Sequence, residues 1–209
     1  MNNFLSNLRK PEGLGGWLML TSMNIGHSAL SKWGLKQLEI KPGDSILDIG
    51  CGGGKNISRM LKRAYTGTVC GLDYAKASVE KSKSLNRKAV LTGRADIRLG
   101  TVSRNPWQDG TFDLVTAFET VYFWPDFAHD VREVRRVLKP DGLFFICNEI
   151  NIPEKGKQPY QFWIRALDLK TYTARDFHRI LTDTGFTGIV IQVKGKNGIC
   201  VSARAQKEA

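Results

Sequence analysis

An acidic residue stands directly before a glycine-dense loop, and a second acidic residue follows shortly after it. Asp48 precedes the loop Gly50–Gly54, and Asp73 lies 19 residues after Gly54. Glycine lets a ligand lie against bare backbone and allows the positive φ angles that tight turns require. An acid at the end of a second strand can accept hydrogen bonds from both hydroxyls of a ribose. The spacing therefore predicts a nucleotide-like ligand.

The loop differs from the common phosphate-binding loops. Lys55 stands where a dinucleotide-binding loop needs its third glycine, and the GxxxxGK[ST] pattern of a triphosphate-binding loop does not occur here. The Asp48 carboxylate would repel a pyrophosphate but attract an ammonium or sulfonium group. A ligand with a ribose at one end and a positive charge at the other is S-adenosylmethionine, which we therefore expect as the cofactor.

Strands and helices alternate along most of the chain, and this pattern positions the loop. Strands are predicted at 45–49, 68–72, 95–99, 112–117, 143–149, 187–194 and 199–203, and helices at 55–64, 75–86, 126–137 and 173–184. A turn is predicted at 139–142. Repeated strand–helix alternation favours an α/β fold: a doubly wound, mostly parallel seven-stranded sheet with helices on both faces. The last two strands form a C-terminal antiparallel hairpin, and an N-terminal helical cap precedes the sheet.

The overall charge is the unusual feature of the composition. The 209 residues carry a net charge of +11, with 42% apolar and 24% charged residues. The basic residues are spread over predicted helices, so nucleic acid is a less favoured partner than a small molecule. No apolar run approaches the roughly 20 residues of a membrane span, and no secretory signal is recognised. We expect no membrane span.

The cysteines occur singly. Cys51, Cys70, Cys147 and Cys200 show no Cys/His metal spacing, so no metal is expected. Buried free thiols are typical of a reducing compartment, which predicts a cytoplasmic protein. The oligomeric state is left open.

Several motifs, in order, resemble those of the class I S-adenosylmethionine-dependent methyltransferases, in particular the small-molecule branch related to the ubiquinone and menaquinone enzymes. The matching segments are Ile46–Gly54, Gly100–Val102, Pro106–Asp113 (similar to the family's "LPF-pd-sFD" segment) and Val137–Gly142 (similar to its "LKPGG" turn). The resemblance covers about residues 40–150. It implies S-adenosyl-L-homocysteine as product and one Rossmann-like domain over 41–209. Residues 1–40 would form an arm and helical cap, and 150–172 a lid.

The resemblance also implies the residues that hold the cofactor. Asp48, Gly50, Cys51 and Gly52 would place the methionine part, Asp73 the ribose, and Tyr74, Thr101 and Val102 the adenine. Thr101 stands where the family usually has an acid, so the adenine contact falls on a hydroxyl or on the Val102 backbone. Glu119, at the end of the fourth strand, would face the sulfonium and contact the amino group of the cofactor.

Methyl transfer is an in-line displacement, and a base is needed only if the acceptor must lose a proton. The candidates for catalysis are His27, Glu119 and Tyr122. Histidine is the side chain whose ordinary pKa lies nearest neutrality, and His27 lies on a predicted N-terminal helix with Met19 and Met23. Aromatic residues near Tyr122 favour an acceptor with an aromatic or apolar part. O-, N-, S- and C-methylation stay open.

Two other functions remain open. The positive charge is compatible with a methyltransferase that acts on RNA or protein. The fourth strand ends in Ala117–Thr120 rather than in the Asp/Asn-Pro-Pro-aromatic signature of nucleobase amino methylation, and there is no Pro-Cys nucleophile for cytosine methylation. A protein that binds S-adenosylmethionine without turnover is the other alternative.

Overall fold

A computed structural model of the chain describes residues 28–150, 152–153, 160–195 and 198–206. Contacts divide the chain into two compact units, Met1–Thr101 and Val102–Ala209. The described elements of the first unit are α1 (Ser28–Lys36), β1 (Ser45–Ile49), α2 (Lys55–Leu61), β2 (Thr68–Asp73), α3 (Lys76–Leu85), α4 (Arg87–Leu91) and β3 (Ile97–Leu99). Those of the second unit are β4 (Phe112–Phe118), a 3₁₀ turn (Val121–Phe123), α5 (Phe127–Val137), β5 (Leu138–Asn148), α6 (Gln161–Ala166), α7 (Ala174–Asp183), β6 (Phe186–Lys194) and β7 (Gly198–Ala205).

In the first unit the strands lie in the order β3-β2-β1, and both pairings are parallel. Strand β1 is buried along nearly its whole length, as expected for a parallel strand covered on both faces. Its register pairs Ile49 with Leu72. The carboxyl ends of β1 and β2 therefore meet at one edge of the sheet, which brings the glycine loop next to Asp73.

Helix α2 ends at Leu61, three residues before its predicted end at 64. The guanidinium of Arg94 donates hydrogen bonds to the carbonyl oxygens of Leu61, Ala64 and Gly67 at 3.2, 2.6 and 3.2 Å. The chain leaves the helical path here, and these carbonyls converge on one cation from outside the segment. The local pattern of the helix cannot reveal this contact, because Arg94 is distant in the sequence.

In the second unit the strands lie in the order β4-β5-β7-β6. Strands β4 and β5 are parallel, whereas β5 with β7 and β7 with β6 are antiparallel. The core is rich in phenylalanine. Fully buried rings come from Phe112, Phe144, Phe145, Phe177 and Phe186. The predicted C-terminal hairpin is present, and it continues the sheet beyond β5.

Residues 139–142, predicted as a turn, lie within the bounds of β5 but pair with no residue of β4. Phe112 pairs with Leu138 and Leu114 with Leu143, so β4 advances two residues while β5 advances five. The extra residues form a bulge in which Asp141 has a φ of 66°. Lys139 Nζ contacts the Asp113 carboxylate at 2.8 and 2.9 Å and so fastens the bulge to β4.

Two predictions fall wholly or partly outside the described residues. His27 and most of the predicted N-terminal cap lie there, and so do residue 151 and residues 154–159 of the predicted lid. The described part of that segment includes α6, where Phe162 and Trp163 are exposed with their rings 5.2 Å apart. Among the residues described, no helix is both long and apolar enough to cross a membrane. The predicted domain boundaries stay predictions.

Candidate functional site

The glycine loop after β1 is a left-handed turn with one packed side and one side that no described residue fills, here called its open side. Gly50, Gly52 and Gly54 have φ angles of 69°, 52° and 77°, where a side chain costs roughly 1–2 kcal/mol. The amides of Gly50 and Cys51 both donate to Leu72 O, at 2.7 and 3.1 Å. The loop is therefore fixed to the end of β2 by its own backbone.

Gly54 and Gly52 differ in what surrounds them. A Cβ on Gly54 would meet Ser82 Oγ and would lie 2.6 Å from Asn86 Nδ2 and 2.9 Å from Ser82 Cα. A Cβ on Gly52 would meet no atom within 4 Å among the described residues. Gly54 permits the loop to pack against α3. Gly52 leaves a space beside bare backbone that a Cβ would fill, as a bound nucleoside requires.

Asp73 fastens the loop from the end of β2. Its Oδ2 accepts a hydrogen bond from the Gly52 amide at 2.8 Å, and its Oδ1 accepts one from the Ala75 amide at 2.9 Å. Burial raises the pKa of this carboxyl group, and the hydrogen bonds from Ala75, Gly52 and the Ser78 side chain partly offset the increase. A carboxylate has about four acceptor positions, and Gly52, Ala75 and Ser78 use three of them, so Asp73 can accept a further hydrogen bond from a ribose hydroxyl.

A polar stripe on α3 supports the loop, and the sequence analysis missed it. Ser78 and Ser82 on α3, with Asn86 directly after it, follow the i, i+4, i+8 spacing of one helix face, and all three are buried. Asn86 Nδ2 donates to Gly54 O at 3.1 Å, and the Cys51 thiol lies 4.0 Å from Ser82 Oγ. Small polar residues repeated at that spacing, on the same buried face as Val79, are the signal that could have identified them.

The other predicted cofactor residues differ in exposure. Asp48 is buried, Thr101 is exposed, and Tyr74 keeps 39% of its surface exposed. Val102, in the second unit, is buried. Burial raises the pKa of the Cys51 thiol well above its ordinary value, and Asp73 and Asp48 raise it further. Cys51 is therefore a neutral thiol, and only its backbone is suited to hold a ligand.

In the second unit, the structure brings Glu119 and Tyr122 together where β4 and β5 end. Glu119 has a φ of 56°, and its amide donates to Cys147 O at 2.9 Å. Its Oε1 accepts hydrogen bonds from the Glu149 amide and from Tyr122 Oη, the latter at 3.4 Å. Tyr122 Oη in turn accepts from the Ile150 amide at 3.0 Å. We call Glu119 and Tyr122 the carboxyl–phenol pair.

The surroundings of the pair alter both acidities. Burial raises the pKa of Glu119 to about 8, and the Glu149 charge adds to the increase, while the hydrogen bonds from the Glu149 amide and Tyr122 oppose it. Burial raises the pKa of Tyr122 well above its ordinary value, and the Glu119 charge raises it further. At neutral pH the carboxyl group is mostly protonated, and it becomes a base only in mildly alkaline solution.

The raised pKa predicts a pH dependence of stability. From about pH 4.5, the ordinary glutamate value, to about 8, the folded chain keeps a proton on Glu119 that the unfolded chain releases. The contribution of Glu119 to the free energy of unfolding therefore falls as pH rises, by up to about 1.4 kcal/mol per unit. The free energy of unfolding is measured in urea at pH 5.5 and at pH 7.5. From the lower to the higher pH, the stability of Glu119→Gln relative to wild type should increase by about 1–2 kcal/mol. The exposed Glu39→Gln should follow the wild type, and an unchanged slope in Glu119→Gln would contradict the assignment.

Comparison with known proteins identifies the family. Residues 47–146 match the family described as "Methyltransferase domain". Cycloartenol-C-24-methyltransferase 1 of Oryza sativa subsp. japonica is 36% identical over 110 residues, which are 53% of this chain and 32% of that protein. The protein named "Putative methyltransferase YrhH" of Bacillus subtilis (strain 168) is 32% identical over 123 residues, 59% of this chain and 67% of that protein.

The matched stretch covers different shares of the relatives' own lengths. For the rice enzyme and a second curated relative, the matched stretch is only 32% and 42% of the relative's own length. A SAM dependent methyltransferase from Aquifex aeolicus, known from its crystal structure, has a TM-score of 0.73 at 21% identity, covering 90% of this chain and 97% of that one. This likeness and the strand order confirm the predicted fold class, a mostly parallel seven-stranded sheet with a C-terminal antiparallel hairpin. The chain therefore belongs to the class I S-adenosylmethionine-dependent methyltransferases.

Proposed function

We propose that the chain transfers a methyl group from S-adenosylmethionine to a small-molecule acceptor. The observation that carries this proposal is the open side of the glycine loop at Gly52, directly beside the Asp73 carboxylate that its amide contacts at 2.8 Å. A ribose hydroxyl fits next to a carboxylate that keeps a free acceptor position. The rice relative is named for a sterol acceptor, which supports a small, apolar substrate.

The cofactor supplies, when bound, an electrophilic methyl group on a sulfonium. In the first unit, Asp73 would hold the ribose, Asp48 with the backbone of Gly50, Cys51 and Gly52 the methionine part, and Tyr74 and Thr101 the adenine. Buried Asp48 suits a cationic ligand, because its charge has little competition from water. The roles of Val102 at the adenine and of Glu119 at the cofactor amino group stay predictions.

The carboxyl–phenol pair supports a role in proton transfer. A general base works best when its pKa lies near the working pH, and the pKa of Glu119 is about 8. The backbone amides of Glu149 and Ile150 hold the two side chains in place, so the pair needs little reorganisation during a reaction. An acceptor with an acidic hydroxyl or amine would use such a base, whereas a carbon nucleophile that carries no acidic proton would not.

Two variants separate the candidate bases. We expect His27→Ala to lower kcat about a hundredfold while leaving the affinity for S-adenosylhomocysteine unchanged. We expect Glu119→Gln to remove the rise of kcat around pH 8, because the amide cannot titrate. Steady-state rates from pH 6 to 9.5 measure both effects. Wild-type rates in His27→Ala would remove His27 from the mechanism, and an unchanged pH profile in Glu119→Gln would remove Glu119.

An acceptor screen tests the function. Purified protein is incubated with S-adenosylmethionine and a panel of phenols, quinols, sterols and apolar amines, with total tRNA and a histone mixture as separate arms. Formation of S-adenosylhomocysteine that depends on one of the small molecules supports the proposal. Turnover only with tRNA or histones would contradict it. Tight binding of the cofactor without turnover in any arm would favour a protein that binds without catalysis.

A further inference from the structure

A cleft of about 600 Å³ lies in the second unit, at the sheet edge where β4 and β5 begin. Arg132, Arg135, Arg136 and Lys139 line it, with Asp109 as an acidic neighbour. We call it the basic cleft. The seven residues of β4 separate this edge from the carboxyl–phenol pair by roughly 20 Å, at 3.3 Å per residue. The cleft is therefore distinct from the region to which the proposed function assigns proton transfer.

Two of the four cations are already engaged within the fold. The Arg136 guanidinium contacts the two carboxylate oxygens of Glu133 at 3.0 and 2.9 Å and Asp109 Oδ1 at 2.6 Å. It also donates to two backbone carbonyl oxygens. Lys139 Nζ is held by both oxygens of Asp113. These two side chains fasten α5 and the β5 bulge, and their charges are largely balanced.

The other two cations are not balanced in this way. Among the described residues, no carboxylate oxygen lies within the 4.0 Å of an ion pair from Arg132 or Arg135. Arg132 is exposed, and its charge acts on Asp126 only over a longer distance. Arg135 Nε is buried and has no hydrogen-bond partner in the described part of the chain. This N–H is shielded from solvent, so a ligand in the cleft would meet the charge of Arg135 rather than this donor.

Gly185 sets the position of Arg135. A Cβ at Gly185 would lie 2.9 Å from Arg135 Nε and 3.2 Å from Cζ, so the guanidinium packs directly against the glycine backbone. Gly185 follows α7 with a φ of 85°, and its carbonyl accepts a hydrogen bond from the Gln206 amide at 3.0 Å. Within the described part of the chain, Arg135 is thus held in place by packing rather than by an ion pair with an acid.

We propose that the basic cleft binds the phosphate group of a small phosphorylated molecule. Paired guanidiniums match phosphate oxygens in charge and geometry. The volume falls within the range typical of small-molecule sites, and Leu138 and Ala205 supply an apolar wall for the organic part. Two unbalanced cations suit one phosphate group, whereas a nucleic-acid backbone is usually held by several phosphate contacts in a row.

The test is calorimetry on the full chain, saturated with S-adenosylhomocysteine so that the glycine loop does not compete for the probes. The probes are inorganic phosphate, ribose 5-phosphate and a 20-nucleotide single-stranded RNA, in 50 mM NaCl. The variants are Arg132→Gln, and Arg132→Gln with Arg135→Gln. The matched control is Arg87→Gln with Lys88→Gln, which removes the same charge from exposed positions in the first unit. Circular dichroism checks that each variant is folded.

We expect ribose 5-phosphate and phosphate to bind the wild type and the control equally. We expect the double cleft variant to lose at least tenfold in affinity, and the single variant Arg132→Gln to lose part of it. The single variant retains the packed Arg135 and keeps the test decisive if the double variant unfolds. No binding of either small probe would overturn the proposal, and so would an equal loss in the control. RNA binding that depends on the cleft without binding of ribose 5-phosphate would replace the small ligand with a nucleic acid.

Discussion

Replacing Asp73 by asparagine should weaken the binding of S-adenosylhomocysteine at least a hundredfold. A charge-assisted hydrogen bond from a ribose hydroxyl contributes about 1.5–3 kcal/mol, and weaker attachment of the glycine loop adds to the loss; about 3 kcal/mol corresponds to a factor above one hundred. The amide nitrogen of asparagine also cannot accept the hydrogen bond from Gly52 or from Ala75, so the glycine loop loses part of its attachment. Isothermal titration calorimetry measures the effect.

The matched control for this prediction is Asp44→Asn. Asp44 also accepts a backbone hydrogen bond, from the Lys41 amide at 2.8 Å, but it stands before β1 rather than at the glycine loop. We expect Asp44→Asn to bind S-adenosylhomocysteine as the wild type does. Equal affinity of Asp73→Asn and wild type would refute the ribose assignment of Asp73.

Alanine at Gly54 and at Gly52 should have different consequences, because only one of the two glycines is packed. At Gly54 the new methyl group meets Ser82 and Asn86 of the α3 stripe in a left-handed conformation. We expect Gly54→Ala to lower the free energy of unfolding by about 2–5 kcal/mol, from strain plus overpacking. At Gly52 the cost is the strain alone, about 1–2 kcal/mol. Its methyl group enters the open side of the loop, so we expect at least a tenfold loss of affinity for S-adenosylhomocysteine.

Gly93→Ala is the control for Gly52→Ala. Gly93 has a φ of 71°, and a Cβ there, as at Gly52, would meet no described atom within 4 Å, but Gly93 lies outside the loop. The two variants should lose similar stability in urea unfolding, while only Gly52→Ala should lose affinity in calorimetry. Full affinity in Gly52→Ala would show that the ligand does not lie on the open side of the loop.

The order of the elements could be predicted from the sequence because buried parallel strands and covering helices leave strong local patterns. Strand β1 was predicted with the bounds observed, 45–49. The loop and Asp73 were predicted to serve one nucleotide-like ligand, and the Gly52–Asp73 contact places them side by side. The early end of α2 was not predicted, since it depends on Arg94, which is distant in the sequence. The β5 bulge coincides with the local turn signal of Lys139–Gly142, but its place within one strand depends on β4, which pairs with Leu138 and Leu143 on either side of it.

The site was predicted only in part, for a similar reason. Glu119 and Tyr122 were candidates because they follow the fourth strand and because the resemblance to the methyltransferases places that loop at the sulfonium. The amides of Glu149 and Ile150 that hold them come from the end of β5, and the raised pKa of Glu119 depends on burial that no short motif encodes. His27 lies outside the described residues, and its role stays a prediction.

The choice of cofactor is tested most directly by comparing the binding of S-adenosylhomocysteine, NAD⁺ and ATP to the purified chain by calorimetry. The glycine loop beside Asp48 and Asp73 predicts micromolar or tighter binding of S-adenosylhomocysteine and no measurable binding of the two pyrophosphate-containing nucleotides. Preferential binding of NAD⁺ or ATP would contradict the account.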